Sequence, residues 1–110
     1  MKVYISGPIT GVPDFGRGFE KAAARLAEQG HEPVNPAAAV PPCGDTCGEV
    51  KGRHSWSCYM RNDLQLLLGC EAILMLDGWE RSHGARLELH VATACGLVVL
   101  HTTSDESETP

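Results

Sequence analysis

The chain has no long apolar run, no excess of positive charge and no regular cysteine framework, and each absence removes a class of function. No window reaches the roughly 20 apolar residues of a membrane span. The start, "MKVYISGPIT", carries no apolar core of the kind a secretion signal has. The expectation is a cytoplasmic protein without a membrane partner. Lysine and arginine number 9 against 14 acidic residues, the net charge is −5, and the basic residues stand singly. Nucleic-acid binding needs basic side chains gathered on one face, so no nucleic-acid partner is expected, whereas a small anion held by local donors fits. Five cysteines is an odd number. Cys58, Cys70 and Cys95 fall on predicted helices or their ends and read as thiols in a reducing compartment, mostly buried as small apolar groups. There is no internal repeat, no Walker loop and no G-x-G-x-x-G.

What is present is an alternation of strands and helices. At 110 residues, 43% of them hydrophobic, the chain is sized for one ordinary domain. "KVYIS" (2–6) is β-branched and aromatic and stops at Gly7-Pro8, as a strand running into a loop does. Residues 14–29 place Phe15, Phe19, Ala22, Ala23, Leu26 and Ala27 on one helical face, with Asp14 as N-cap and Gly30 as the stop. A short strand, "HEPV" (31–34), leads into a long Gly-, Pro- and Cys-rich loop from Pro41 to His54. From about Ser55, Met60, Leu64, Leu67 and Leu68 mark a second helix that Gly69 ends. "EAILML" is the third strand, 82–95 the third helix and "LVVL" the fourth strand. Nothing apolar beyond Pro110 follows His101, so residues 1–101 are expected to form the single domain and 102–110 a disordered acidic tail.

Nearly continuous apolar strands separated by helices predict an α/β fold: a flavodoxin- or Rossmann-like three-layer sandwich around a parallel four-stranded sheet. Right-handed crossovers make 2-1-3-4 the simplest strand order. In such sheets ligands bind beyond the carboxyl ends of the strands, where the order reverses, here between the first and third strands. The segments meeting there are "SGPITG" (6–11) and "DGWERSHGARLE" (77–88).

Gly7 and Gly11 permit close backbone approach by a ligand, and Ser6 and Thr10 offer hydroxyls beside backbone N–H groups, a cradle for an anion or sugar; the plainer reading is a turn off the strand. Ser82, His83 and Gly84 open the third helix, where free amides and the dipole favour an anion. Glu88 lies one to two turns inside, either as an ionised carboxylate facing a sugar or as a solvated surface residue. Asp77 ends the third strand at the expected cleft. Asp63 follows Tyr59 by four residues, so both project from one helix face.

These segments resemble the nucleoside 2-deoxyribosyltransferase-like superfamily, which includes nucleotide N-glycosidases and small uncharacterised phage-associated proteins. The likeness runs through "YISGPITG", "HEPVNPA", "SWSCYMRNDLQLLLGCEAILMLDGW" and "SHGARLELHVATACGLVV", and is closest to the small uncharacterised members. It implies that Glu88, in "GARLE", is the nucleophile on the sugar C1′ and that Asp63, in "NDLQLLLGCEA", positions the nucleoside. It also implies that Gly7, Pro8, Ile9, Thr10 and Gly11 contact sugar or phosphate. Ser82 stands where the glycosidases have a phosphate-binding serine and the transferases acting on free nucleosides an acid. Thr10 stands where the glycosidases carry an arginine, a part that Arg81 or Arg86 could take. The implied reaction is a double displacement at the N-glycosidic bond of a (deoxy)nucleoside or its 5′-monophosphate, resolved by water or a second base, without a required cofactor. Asp77 or Asp63 would handle protons, and Tyr59 would orient the nucleophile.

One further constellation stands outside that reading. "CGDTCGEVKGRHSWSC" spaces Cys43, Cys47, His54 and Cys58 as C-x3-C-x6-H-x3-C, four ligands that could hold a structural zinc; the other reading is thiols in a lid over the substrate. His54 and Trp56 could equally line a base pocket, an indole stacking on the base. The competing function is a non-catalytic nucleotide-binding or sensing module, zinc-stabilised in one version. So short a chain leaves apolar helix faces to cover, so a homodimer or higher homo-oligomer is expected.

Overall fold

A computed structural model describes residues 1–8, 15–36 and 56–102 of the chain. Strand β1 is Lys2–Ser6, helix α1 Phe15–Glu28, strand β2 Glu32–Val34, helix α2 Trp56–Leu68, strand β3 Ala72–Met75, helix α3 His83–Ala94 and strand β4 Val98–His101. A single 3-10 turn, Trp79–Arg81, joins β3 to α3. The four strands form one parallel sheet in the order β2-β1-β3-β4, the order expected. Asp14, the Pro41–His54 loop and the acidic tail beyond Thr102 lie outside the described residues.

The period of two along β1 builds the two cores. Val3 and Ile5 point to one face and pack with Phe19, Ala22, Leu26, Ala72 and Leu74 under α1. Tyr4 points to the other face, among Leu67, Ile73, Met75, Ala85 and Ala92 beneath α2 and α3. Every residue of β3 is buried, as a central strand of a parallel sheet covered on both faces requires. Burial of a side chain the size of Phe19 or Leu67 contributes about 1.5–3 kcal/mol each.

Helices α1 and α3 hand the chain to the next strand by the same device. Gly30 (φ 86°) and Gly96 (φ 78°) follow the last helical turns in the left-handed conformation. The next N–H, of His31 or Leu97, returns to the carbonyl of Leu26 or Ala92 at 2.9 Å in each case. These are the six-to-one bonds of a Schellman stop, and they turn the chain directly into β2 and β4. Among the described residues no helix is long and apolar enough to cross a membrane.

Candidate active site

Helix α3 is opened by Ser82, whose Oγ accepts the Ala85 N–H at 3.1 Å, an N-cap that supplies one of the donors left unpaired at the helix start with an acceptor. The buried stripe of the helix is Ala85, Glu88 and Ala92. The two alanines carry no bulk that would hold the helix off the sheet, and between them a glutamate is carried inward. Glu88 is 5% exposed.

Its carboxylate meets two hydroxyls from one strand. The Tyr4 hydroxyl donates to Oε2 at 2.7 Å and the Ser6 hydroxyl to Oε1 at 2.6 Å. Both donors are buried, Tyr4 at 0% and Ser6 at 1% exposure. Neutral hydroxyls do not cancel the charge; they solvate it in place of water. Burial pushes the Glu88 carboxyl above its ordinary range, and the hydroxyls of Ser6 and Tyr4 hold it back. Burial and the neighbouring Glu88 charge push the Tyr4 phenol far up, so it remains a protonated donor.

Asp63, on α2, completes the cluster. It is partly buried, and burial followed by the Glu88 charge raises its pKa to about 7. Two carboxyl groups that feel one another ionise in turn. Glu88, with a hydroxyl on each oxygen, takes the negative charge first, and Asp63 keeps a proton up to neutral pH. The two coupled carboxyls can thus hold one anion and one proton between them.

The two loops expected to meet at the switch point do meet. A Cβ on Gly7 would lie 2.9 Å from Cβ of Leu76, and a Cβ on Gly78 would lie 3.3 Å from Cγ of Pro8. Gly7 is needed for that approach of the β1 and β3 ends, a packing reason for its lack of a side chain. Ile9, Thr10 and Gly11 lie outside the described residues, as do Cys43, Cys47 and His54 of the proposed zinc set. The fourth member of that set, Cys58, is buried on α2. Among the described residues no three His, Cys, Asp or Glu side chains gather as a metal site.

Several expected site residues stand elsewhere. Ser6 does not line an open cradle: its hydroxyl is buried and given to Glu88. Asp77 is exposed and lines a concavity of about 500 Å³ with Lys21, Arg25, Leu76 and His101, on the α1 side of the sheet and away from Glu88. Strand alternation would carry residue 77 to the face of Ile73 and Met75, toward α3, but β3 ends at Met75, and the turn that follows Leu76 sets the side that Asp77 joins. Tyr59 is 45% exposed, and the tyrosine hydroxyl that orients Glu88 is that of Tyr4. Trp56, half exposed, stacks on His83 with ring centroids 5.1 Å apart and planes at 20°. Its Nε1 lies 3.9 Å from where a Cβ on Gly84 would stand, so the starts of α2 and α3 adjoin. Arg81 and Arg86 are exposed.

Tyr4 was not among the expected site residues. The signal was available: Tyr4 and Ser6 share a strand face, and a tyrosine buried in a strand needs a partner for its hydroxyl.

The four-stranded parallel sheet in this order, with helices on both faces, is a fold of the nucleoside 2-deoxyribosyltransferase-like kind. The chain is similar in structure to a 2-desoxiribosyltransferase from Leishmania mexicana, with a TM-score of 0.66 and 21% identity over 94% of this chain. It spans 65% of the length of that protein. The family profile "Domain of unknown function (DUF4406)" matches residues 1–101, and the chain belongs to that family. No curated protein matches it.

Proposed function

We propose that the protein cleaves or transfers the N-glycosidic bond of a nucleoside or nucleoside 5′-monophosphate, with Glu88 as nucleophile and Asp63 as proton carrier. The observation that carries this reading is the Glu88 carboxylate, buried with a hydroxyl on each oxygen; the Asp63 carboxyl, which feels its charge, is raised to about 7. A surface glutamate has no use for such surroundings, and a purely structural one would be cheaper to replace by an apolar residue. Perturbed carboxyl pairs of this kind mark sites of acid–base and nucleophilic work.

In the first step a Glu88 oxygen bonds to C1′ as the C1′–N bond breaks. The bonding pair leaves with the base, which takes the Asp63 proton. In the second step water attacks C1′, gives a proton back to Asp63 and frees the carboxylate; a second base in place of water yields transfer. No cofactor is needed for either step. The first amides of α3, around Ser82 and Gly84, suit a 5′-phosphate. The half-exposed Trp56 ring offers a face to an aromatic base. The similarity in fold to a 2-desoxiribosyltransferase agrees with this choice of reaction.

The test is a panel of deoxynucleosides and their 5′-monophosphates, incubated with the protein and assayed for free base by chromatography. Release by the wild type and its loss in Glu88→Ala is the expected result. Binding without release, unchanged in Glu88→Ala, would make the protein a nucleotide-binding module instead.

A further inference from the structure

We propose that Ser6 is a positioning residue for Glu88: its hydroxyl fixes Oε1 while Tyr4 fixes Oε2, so that the carboxylate plane is set before a sugar arrives. The inference rests on Glu88 being the nucleophile. The terminal torsion of a glutamate is broad and nearly two-fold, so one hydrogen bond leaves the group free to swing about the bonded oxygen. A second donor on the other oxygen removes that freedom. The two bonds, at 2.6 Å from Ser6 and 2.7 Å from Tyr4, do this while leaving a lone pair on each oxygen for attack.

The strand gives Ser6 little room to do anything else. Ser6 pairs with Met75 in the sheet, its carbonyl accepts the Leu76 N–H at 2.8 Å, and the following Gly7 is pressed against Leu76. A serine hydroxyl has one proton, and here it points at Glu88 from a site 1% exposed. Ser6 is thus a short side chain on a fixed backbone at the carboxyl end of the inner strand β1, while Tyr4 reaches the other oxygen with a long rigid ring.

The clamp also keeps the nucleophile charged. Titratable groups that feel the Glu88 charge include Tyr4 from β1 and Asp63 from α2. One is a neutral donor and the other an acid, so neither supplies a compensating positive charge. Of the two hydroxyls that hold the Glu88 carboxyl down against burial, that of Ser6 acts more strongly.

The experiment follows the Glu88 side-chain carboxyl by carbon-13 NMR through a pH titration in the wild type, Ser6→Ala and Ser6→Thr, with base-release kinetics alongside. In Ser6→Ala the Glu88 midpoint should rise by about one pH unit, and kcat should fall roughly 10- to 100-fold with KM little changed. Ser6→Thr, which keeps the hydroxyl, should restore both. A folded Ser6→Ala protein with the wild-type midpoint and kcat overturns the proposal. Should Ser6→Ala fail to fold, Ser6→Cys, whose thiol is a weak donor, must show the raised midpoint, and an unchanged one overturns it equally. The titration needs no substrate, so it separates the two claims. A raised midpoint with no base release from the wild type would sink the glycosyl-transfer reading and leave Ser6 holding Glu88. Base release with an unmoved midpoint would do the reverse.

Discussion

Tyr4 and Glu88 stand 84 positions apart in the chain, and their side chains meet hydroxyl to carboxylate at 2.7 Å, fully inside the protein. The bond ties the first strand to the last helix across the α2/α3 core. Removing the donor leaves a buried carboxylate oxygen without its partner, which costs about 1–3 kcal/mol. Tyr4→Phe is therefore expected to lower the denaturant midpoint at pH 7. The loss should shrink toward pH 4, where Glu88, its carboxyl raised by burial, takes up a proton and needs the donor less. Urea melts at the two pH values measure it.

Glu88→Gln keeps the shape of the side chain and discards its charge. The folded state no longer carries a desolvated anion, so stability at pH 8 should equal or exceed that of the wild type. Base release should fall by about a thousandfold or more, the scale of losing a nucleophile. A thermal melt and a chromatographic assay on one preparation decide whether charge serves the fold or the chemistry.

Asp63 gives a pH dependence of definite sign. Its carboxyl titrates near 3.8 when unperturbed and at about 7 in the folded chain, so between these values the native state holds a proton that the unfolded state has released. Stability from this group is present at low pH and is lost as pH rises through about 7. Asp63→Asn should flatten that decline, stabilising the protein at pH 8 relative to wild type far more than at pH 4. It should also slow base release and remove the alkaline limb of the rate profile. Melting temperatures across the range, with rates alongside, test both effects.

Gly7 offers a test of the junction that brings the β1 and β3 ends together. A methyl group there would lie 2.9 Å from Cβ of Leu76, closer than real contacts permit, so Gly7→Ala should destabilise by about 1–3 kcal/mol through overpacking. The clash is with one named side chain. Leu76→Ala in the same chain retains its Cβ, so it should recover only part of the loss. A double-mutant cycle on unfolding free energies gives the coupling.

How much of this could be read from the residues differs between fold and site. The bounds of β1 were legible to the residue because "KVYIS" is β-branched and ends in Gly-Pro. The 2-1-3-4 order followed from four apolar strands and the handedness of crossovers. The site was less legible because it violates the pattern that reveals helices. Glu88 sits in the buried stripe between Ala85 and Ala92, where hydrophobic periodicity alone would turn a glutamate outward. The family resemblance points to its position, and its burial follows only from the packing. Asp77 misled for a converse reason. Its place at the end of β3 is correct, but which side of the sheet it joins depends on the turn after Leu76. Tyr59 was legible as a tyrosine on the Asp63 helix; that Tyr4 supplies the hydroxyl depends on a contact between residues 84 positions apart, for which no local rule exists.

The central claim is that Glu88 forms a bond to the sugar, and the direct measurement is intact-protein mass spectrometry after incubation with a 2′-fluoro-arabinonucleoside, whose fluorine slows the second step. The account predicts a gain of one fluorosugar per chain, free base in equal amount, and the added mass on the peptide containing Glu88, with no gain in Glu88→Gln. Adduct on another residue, or base release by Glu88→Gln at the wild-type rate, would contradict it.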